Sequence, residues 1–322
     1  MVVQVNIPSV LTQPGGAAST AAGAAWLSTV PTLVERAAHR WQLQVGEPFG
    51  VGTASWTAPA TMADGTPVVL KISFPHEEAR YEAVALAMWR GSAAVELLAH
   101  EADDWALLLR RAHPGTTLLA TPGSPEQQID ACVGVLANLH QAPIADLGVP
   151  NLREVAHYWG TLASERAGRW MSLLGDRVGI VTRGIEELRS FAADDAPTVL
   201  LHGDLNPGNL LLDDPGTPHW LAIDPKPMLG DPAYELWPVL NQIDDPFAHP
   251  DPQAVLLPRL LRSSQALGLP PQRVALWGLA RTVESVLWQL ETWPTPDRQA
   301  AALVQLAEAQ TWADIADTLG PA

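Results

Sequence analysis

The octet His202-Gly203-Asp204-Leu205-Asn206-Pro207-Gly208-Asn209, followed downstream by Ile223-Asp224, constrains this chain more than any other feature. It sets one Asp and one Asn on a tight loop, and a second Asp at the end of a short apolar run. Phosphoryl transfer from a nucleotide needs this set of groups. One carboxylate takes the proton of the attacking hydroxyl, while a carboxylate and an amide oxygen hold metal ions that bridge the phosphates. Ordinary turn chemistry explains any one of these residues, because Asp, Asn, Pro and Gly are turn formers. It does not explain the full set flanked by apolar strands.

The lysines narrow the reading. The chain has 19 lysines and arginines, and only Lys71 and Lys226 are lysines. A chain so biased keeps lysine where a compact ammonium on a flexible stem is needed rather than a planar fork. Lys226 follows Asp224 by two positions. Lys71 ends the apolar run Pro67-Val68-Val69-Leu70, which reads as a buried strand.

A length of 322 residues suggests two lobes, and 47% apolar content is ample for their cores. The net charge of −16 argues against nucleic acid as a partner and suits a cationic small molecule or plain solubility. The single cysteine, Cys132, excludes an internal disulfide and reads as a buried small hydrophobe. No run reaches the ~18 apolar residues of a spanning helix. The N-terminus lacks the basic region of a signal peptide. The expectation is a cytoplasmic protein with no membrane contact and no obligate protein partner.

Along the chain, residues 1–22 read as a loose arm and 24–40 as an amphipathic helix. Strands are predicted at Trp41–Val45, after the small-residue turn 49–56, and at Val68–Ile72 beyond the hairpin turn Ala63-Asp64-Gly65-Thr66. Glu77–Trp89 reads as a helix, and Val95–Leu98 and Trp105–Leu109 as further strands. Ser124-Pro125-Glu126-Gln127 opens a helix that runs to about His140. Residues 151–193 form one or two helices. Val199–Leu201 is a short strand. Leu210–Leu212 and Trp220–Ile223 make a hairpin around Asp213-Asp214-Pro215-Gly216. Residues 252–268, 271–293 and 297–319 read as three helices. The fold class is α+β, with residues 1–112 as an N-terminal lobe built on a small antiparallel sheet and 113–322 as a larger, mainly helical C-terminal lobe.

The spacing H-x-D-x-x-x-x-N is similar to the catalytic loop of protein-kinase-like folds. More specifically, the octet, Asp224-Pro225-Lys226-Pro227 and Gly230-Asp231-Pro232-Ala233-Tyr234-Glu235-Leu236 resemble the aminoglycoside phosphotransferase family, in its streptomycin 6-phosphotransferase and hydroxyurea phosphotransferase branch. Leu70-Lys71-Ile72, Glu82 with Ala85-Leu86, Leu107 to Arg110 with Pro114-Gly115, and Leu136 to His140 extend the likeness over roughly residues 40–290. The resemblance implies a bilobal protein-kinase-like fold, ATP with Mg²⁺, and transfer of the γ-phosphate to a small-molecule hydroxyl. By position, Asp204 is the base and Asn209 a catalytic and metal-binding amide. Asp224 is the main metal ligand, and Lys71 the phosphate-binding lysine. Glu82 orients Lys71, with Glu78 as the fallback. Gly50, Gly52 and Ser55 belong to the nucleotide loop, and Arg111 and Ala112 to the hinge that meets the base. His202 and Asp231 read as braces. Gly203 stands where protein kinases carry an arginine, and no Ala-Pro-Glu segment follows Asp224, so protein substrates and phosphorylation control are not expected.

A cationic acceptor needs carboxylates near the Asp204 loop, and Glu235, Asp244 and Asp245 are the candidates, with Glu154 and Glu165 on an earlier helix. Three readings compete with an aminoglycoside kinase. They are a kinase of another small metabolite or amino sugar, a non-catalytic nucleotide-binding regulator, and a metal-dependent hydrolase using His202, Asp204 and Asp224. The hydrolase leaves Lys71 without a task.

Overall fold

A computed structural model describes residues 5–144, 147–214 and 219–320. They divide into two compact units, one of residues 1–116 with 211–226, the other of 117–210 with 227–322. The segment 211–226 thus groups with the first unit, although it follows the helices that open the second.

The first unit is built on a five-stranded antiparallel sheet of order β1-β2-β3-β5-β4, with β1 Gln44–Val45, β2 Ser55–Thr61, β3 Pro67–Ser73, β4 Leu97–Glu101 and β5 Ala106–Arg110. Strand alternation fixes what each face carries. Val68, Leu70 and Ile72 of β3 join Trp56, Ala58 and Ala60 of β2 in one buried cluster. The helix Ala21–Arg40 covers that face with Trp26, Leu27, Val30, Val34 and Ala37, which recur at helical spacing. Lys71 lies between Leu70 and Ile72, opposite Thr57 and Leu107, and so points to the other face.

Several boundaries differ from expectation for local reasons. The arm is not loose over its described part. A turn of helix at Ser9–Thr12 buries Leu11, and Trp56 Nε1 donates to Asn6 O at 2.8 Å. β1 is only two residues long because Gln42 adopts φ 52 and turns the chain. The strand expected at Val95–Leu98 begins two residues later, since Val95 N is taken by Ala222 O at 3.0 Å. Glu77–Tyr81 is a 3₁₀ turn and the α-helix covers Glu82–Trp89. The hairpin at 62–66 forms as expected. Gly65 has φ 89, and Asp64 Oδ1 accepts from Thr66 N at 2.9 Å. Strands Pro114–Thr117, Leu210–Asp213 and His219–Ala222 make a second, three-stranded sheet. Pro215 and Gly216, expected in its turn, lie outside the described residues.

The second unit is helical, with α-helices at Pro125–Leu139, Leu152–Leu174, Val178–Ala193, Leu236–Gln242, Pro252–Leu267, Pro271–Thr292 and Pro296–Leu319. The first opens on a capping box in which Gln127 N donates to Ser124 Oγ and Ser124 N to Gln127 Oε1. Pro271–Thr292 is the central helix and buries residues from Val274 to Leu290. Two of the closest approaches in the unit rest on glycine. A Cβ at Gly278 would sit 2.4 Å from Trp312, and one at Gly184 2.6 Å from Val283. A two-stranded antiparallel ladder pairs Val199–Leu201 with Met228–Gly230 and carries the octet at its end. Among the described residues no helix is long and apolar enough to cross a membrane.

Candidate active site

The structure distributes the predicted residues over the two units. In the first, β3 delivers Lys71 and the following helix delivers Glu82 to one buried point. Lys71 Nζ donates to both Glu82 carboxylate oxygens at 2.7 Å. The ammonium also bonds Asp224 Oδ1. Lys71 and Glu82 are both buried, while the Asp224 side chain is 45% exposed. Burial opposes the charge on Lys71, but the Asp224 and Glu82 carboxylates outweigh it and raise its pKa. Burial likewise raises the Glu82 carboxyl, with Lys71 pulling the other way and Asp224 adding to the rise.

Asp224 holds φ 59, a left-handed conformation uncommon for a residue with a Cβ. Such backbone is found where a side chain is held in place by its surroundings. Of the two acids weighed as the lysine's partner, the structure selects Glu82. Glu78 instead faces Lys226 at 3.3 Å.

Gly50 and Gly52 lie on the exposed loop between β1 and β2, and Gly52 needs its φ of 88. Ser55 opens β2 with its hydroxyl 3.5 Å from Thr57 Oγ1. Arg111 is exposed and Ala112 buried, just past β5. That junction is tied down by Asp213, which accepts from Arg110 Nη2 and from His113 N, each at 2.8 Å.

In the second unit the octet leaves its strand through Gly203, whose φ of 84 suits glycine. Asp204 is half-buried, and its carbonyl accepts from Asn209 Nδ2 at 2.9 Å and Asn206 Nδ2 at 3.1 Å. The Asn209 amide nitrogen is thereby used within the loop, which leaves its oxygen as the group to offer a cation. The Asn209 oxygen and, in the first unit, the Asp224 carboxylate are each hard donors of the kind that suits Mg²⁺. His202 is fully buried and its Nδ1 accepts from Asp204 N at 3.3 Å. That supports the reading of His202 as a brace.

One acceptor-site expectation needs correction. Glu235 is fully buried and cannot present a carboxylate to an acceptor. Its oxygens accept from His202 N at 2.8 Å and Gly203 N at 2.7 Å, so it clamps the octet from beneath. Burial alone would raise its pKa, but His140, His202 and the Gly203 amide reverse this and lower it. Asp244 is claimed by Arg259 Nη2 at 2.7 Å and His249 Nε2 at 3.3 Å. Asp245 is exposed and begins a 3₁₀ turn. Asp231 caps its turn through Ala233 N at 2.9 Å, and its other oxygen accepts from Trp277 Nε1 at 2.6 Å and Arg273 Nε at 2.5 Å.

Sequence reasoning missed His140, whose Nε2 lies 3.6 Å from Glu235. It ends a helix far back in the chain, and only its place in the Leu136–His140 stretch marked it.

This geometry can be set beside known proteins. Residues 40–292 match the family model for aminoglycoside/hydroxyurea antibiotic resistance kinases. The chain belongs to that family. It is 33% identical over 312 residues to a streptomycin 6-kinase of Streptomyces glaucescens, covering 95% of this chain and 97% of the relative. It is 34% identical over 304 residues to a hydroxyurea phosphotransferase of Kitasatospora aureofaciens, covering 92% and 84%. A solved macrolide 2'-phosphotransferase from Brachybacterium faecium superposes with a TM-score of 0.60 at 17% identity, over 87% of this chain and 98% of that one. The likeness shows the protein-kinase-like α+β fold expected from the sequence. As a member of the resistance kinases the chain is a phosphotransferase acting on small molecules.

Proposed function

We propose that the chain is an ATP-dependent, Mg²⁺-dependent cytoplasmic kinase that moves the γ-phosphate to a hydroxyl of a streptomycin-type aminoglycoside. The observation that carries this reading is the buried Lys71 ammonium, bonded at once to Glu82 and Asp224. An ammonium held in that way is fixed in direction, as phosphate binding requires.

The chain's residues take these roles. Lys71 binds nucleotide phosphate and Glu82 holds it. Asp224 and the Asn209 oxygen would hold the metal ion, which would supply charge neutralisation at the phosphates. The loop with Gly50, Gly52 and Ser55 lies over the phosphates, and the backbone near Arg111 and Ala112 meets the base. Asp204 accepts the hydroxyl proton, held by the clamp from Glu235 to His202 and Gly203.

A second reading, a hydroxyurea-like acceptor, is favoured by the 34% identity to a hydroxyurea phosphotransferase. ADP release measured with streptomycin, other aminoglycosides, amino sugars and hydroxyurea separates the two. Turnover with streptomycin and none with hydroxyurea supports the first. Tight ATP binding with no turnover on any acceptor contradicts both and favours a nucleotide-binding regulator.

A further inference from the structure

Behind the clamp residue Glu235 lies an arginine whose placement the roles above do not use. Tyr234, its chain neighbour, stacks with Trp159 at 6.2 Å between centroids. The guanidinium of Arg281, on the central helix Pro271–Thr292, lies 4.2 Å from the Trp159 ring centroid, 5.2 Å from Trp237 and 5.3 Å from Tyr234. Three aromatic faces around one cation form a cage. Arg281 Nη1 donates to Glu284 Oε2 at 3.1 Å, and the second Glu284 oxygen faces Arg166 Nη1 at 3.6 Å. All of these side chains belong to the second unit.

One feature argues that stability alone does not explain the cluster. Arg281 Nε is buried and has no acceptor among the described residues. An unmet buried donor of this kind normally calls for an explanation. Arg281 keeps 15% of its side chain at the surface, and its guanidinium is held in place by the rings and by Glu284. Tyr234 directly precedes Glu235, whose carboxylate accepts from His202 N and Gly203 N, and this places the cage next to the octet.

We propose that Arg281, fixed in its cage of Trp159, Tyr234 and Trp237, donates hydrogen bonds to an oxygen of the acceptor and so selects which edge of that molecule approaches Asp204. The group it takes is a hydroxyl or carbonyl oxygen. The inference rests on the kinase reading for the identity of the ligand, but it is a statement about binding and is tested as one.

The test titrates streptomycin and hydroxyurea against the full chain by calorimetry, for the wild type, Arg281→Lys and Arg281→Met. ATP affinity and the thermal midpoint are measured alongside. Arg281→Lys keeps the charge and the stem over the rings but loses the planar fork. The expected result is a loss of acceptor affinity of about 10- to 100-fold in both variants, the scale of one hydrogen bond from a charged donor, with ATP affinity unchanged. Unchanged acceptor affinity in a folded Arg281→Lys variant overturns the proposal. So does parallel weakening of ATP and acceptor with a fallen midpoint, which marks a structural role. Failure of the wild type to bind either acceptor overturns it too. Binding that depends on Arg281 without any turnover would sink the kinase reading and leave this one standing.

Discussion

Lys71 donates to both oxygens of Glu82 at 2.7 Å, eleven residues further along the chain. The pair is buried, and its remaining partner, Asp224, reaches it from 153 residues away. Removing one member leaves an uncompensated buried charge, a loss of roughly 3–5 kcal/mol. Lys71→Ala should therefore lower stability in urea and abolish transfer. Glu82→Gln should cost less stability, because it keeps an acceptor for Lys71, but it should raise the KM for ATP. Equal ATP affinity in wild type and both variants would contradict the phosphate-binding role.

The Glu235 clamp predicts a pH dependence. Its pKa is lowered by His140, His202 and the Gly203 amide against the effect of burial. A depressed carboxyl contributes stability above its unfolded pKa of about 4.3 and loses it as pH falls through the lower folded value. Glu235→Gln should thus be less stable than wild type at pH 7, by ~2–4 kcal/mol. The gap should narrow below about pH 4.3. Thermal midpoints of both proteins from pH 3 to 7 check this.

Glu308 predicts the opposite slope. Burial, with the nearby charge of Asp245, pushes its carboxyl up to about 7. A raised carboxyl contributes stability that is complete below its unfolded pKa and lost as pH rises through the folded one. Wild type should therefore lose ground to Glu308→Gln as pH rises from about 4.3. By pH 7.5 the variant should melt higher. A constant difference between the two across that range would contradict the assignment.

At Gly278 two effects compete. Alanine gains roughly 1 kcal/mol of helix propensity over glycine. Its Cβ, however, would sit 2.4 Å from the buried Trp312 ring, and both belong to rigid packed helices. Overpacking of this kind typically costs about 1–3 kcal/mol. The clash should win, and Gly278→Ala should unfold at lower urea concentration than wild type.

Much of this arrangement was legible in the sequence because local chemistry wrote it there. The octet, the Asp64-Gly65 hairpin and the Ser124 capping box each carry their own turn or cap residues. The scarcity of lysine drew attention to Lys71. What sequence could not show was pairing across distance. Glu235 read as an acceptor carboxylate because its burial and its two amide partners arise only when residues 199–201 and 228–230 form a ladder. The ion pair of Asp244 with Arg259, on a later helix, carries no local signal either. The return of 211–226 to the first unit is equally invisible to a boundary drawn along the chain. Arg281 carried no motif, since its significance lies in three rings from other helices.

The most direct test of the central claim is the rate of phosphorylated streptomycin formation, followed by mass spectrometry, in wild type and Asp204→Asn at saturating ATP and Mg²⁺. The account predicts a phosphorylated product in the wild type and a rate lower by roughly 10²–10⁴-fold in the variant, the usual contribution of a general base, with ATP affinity retained. A variant that transfers phosphate as fast as wild type, or a wild type that passes it only to water, would contradict it.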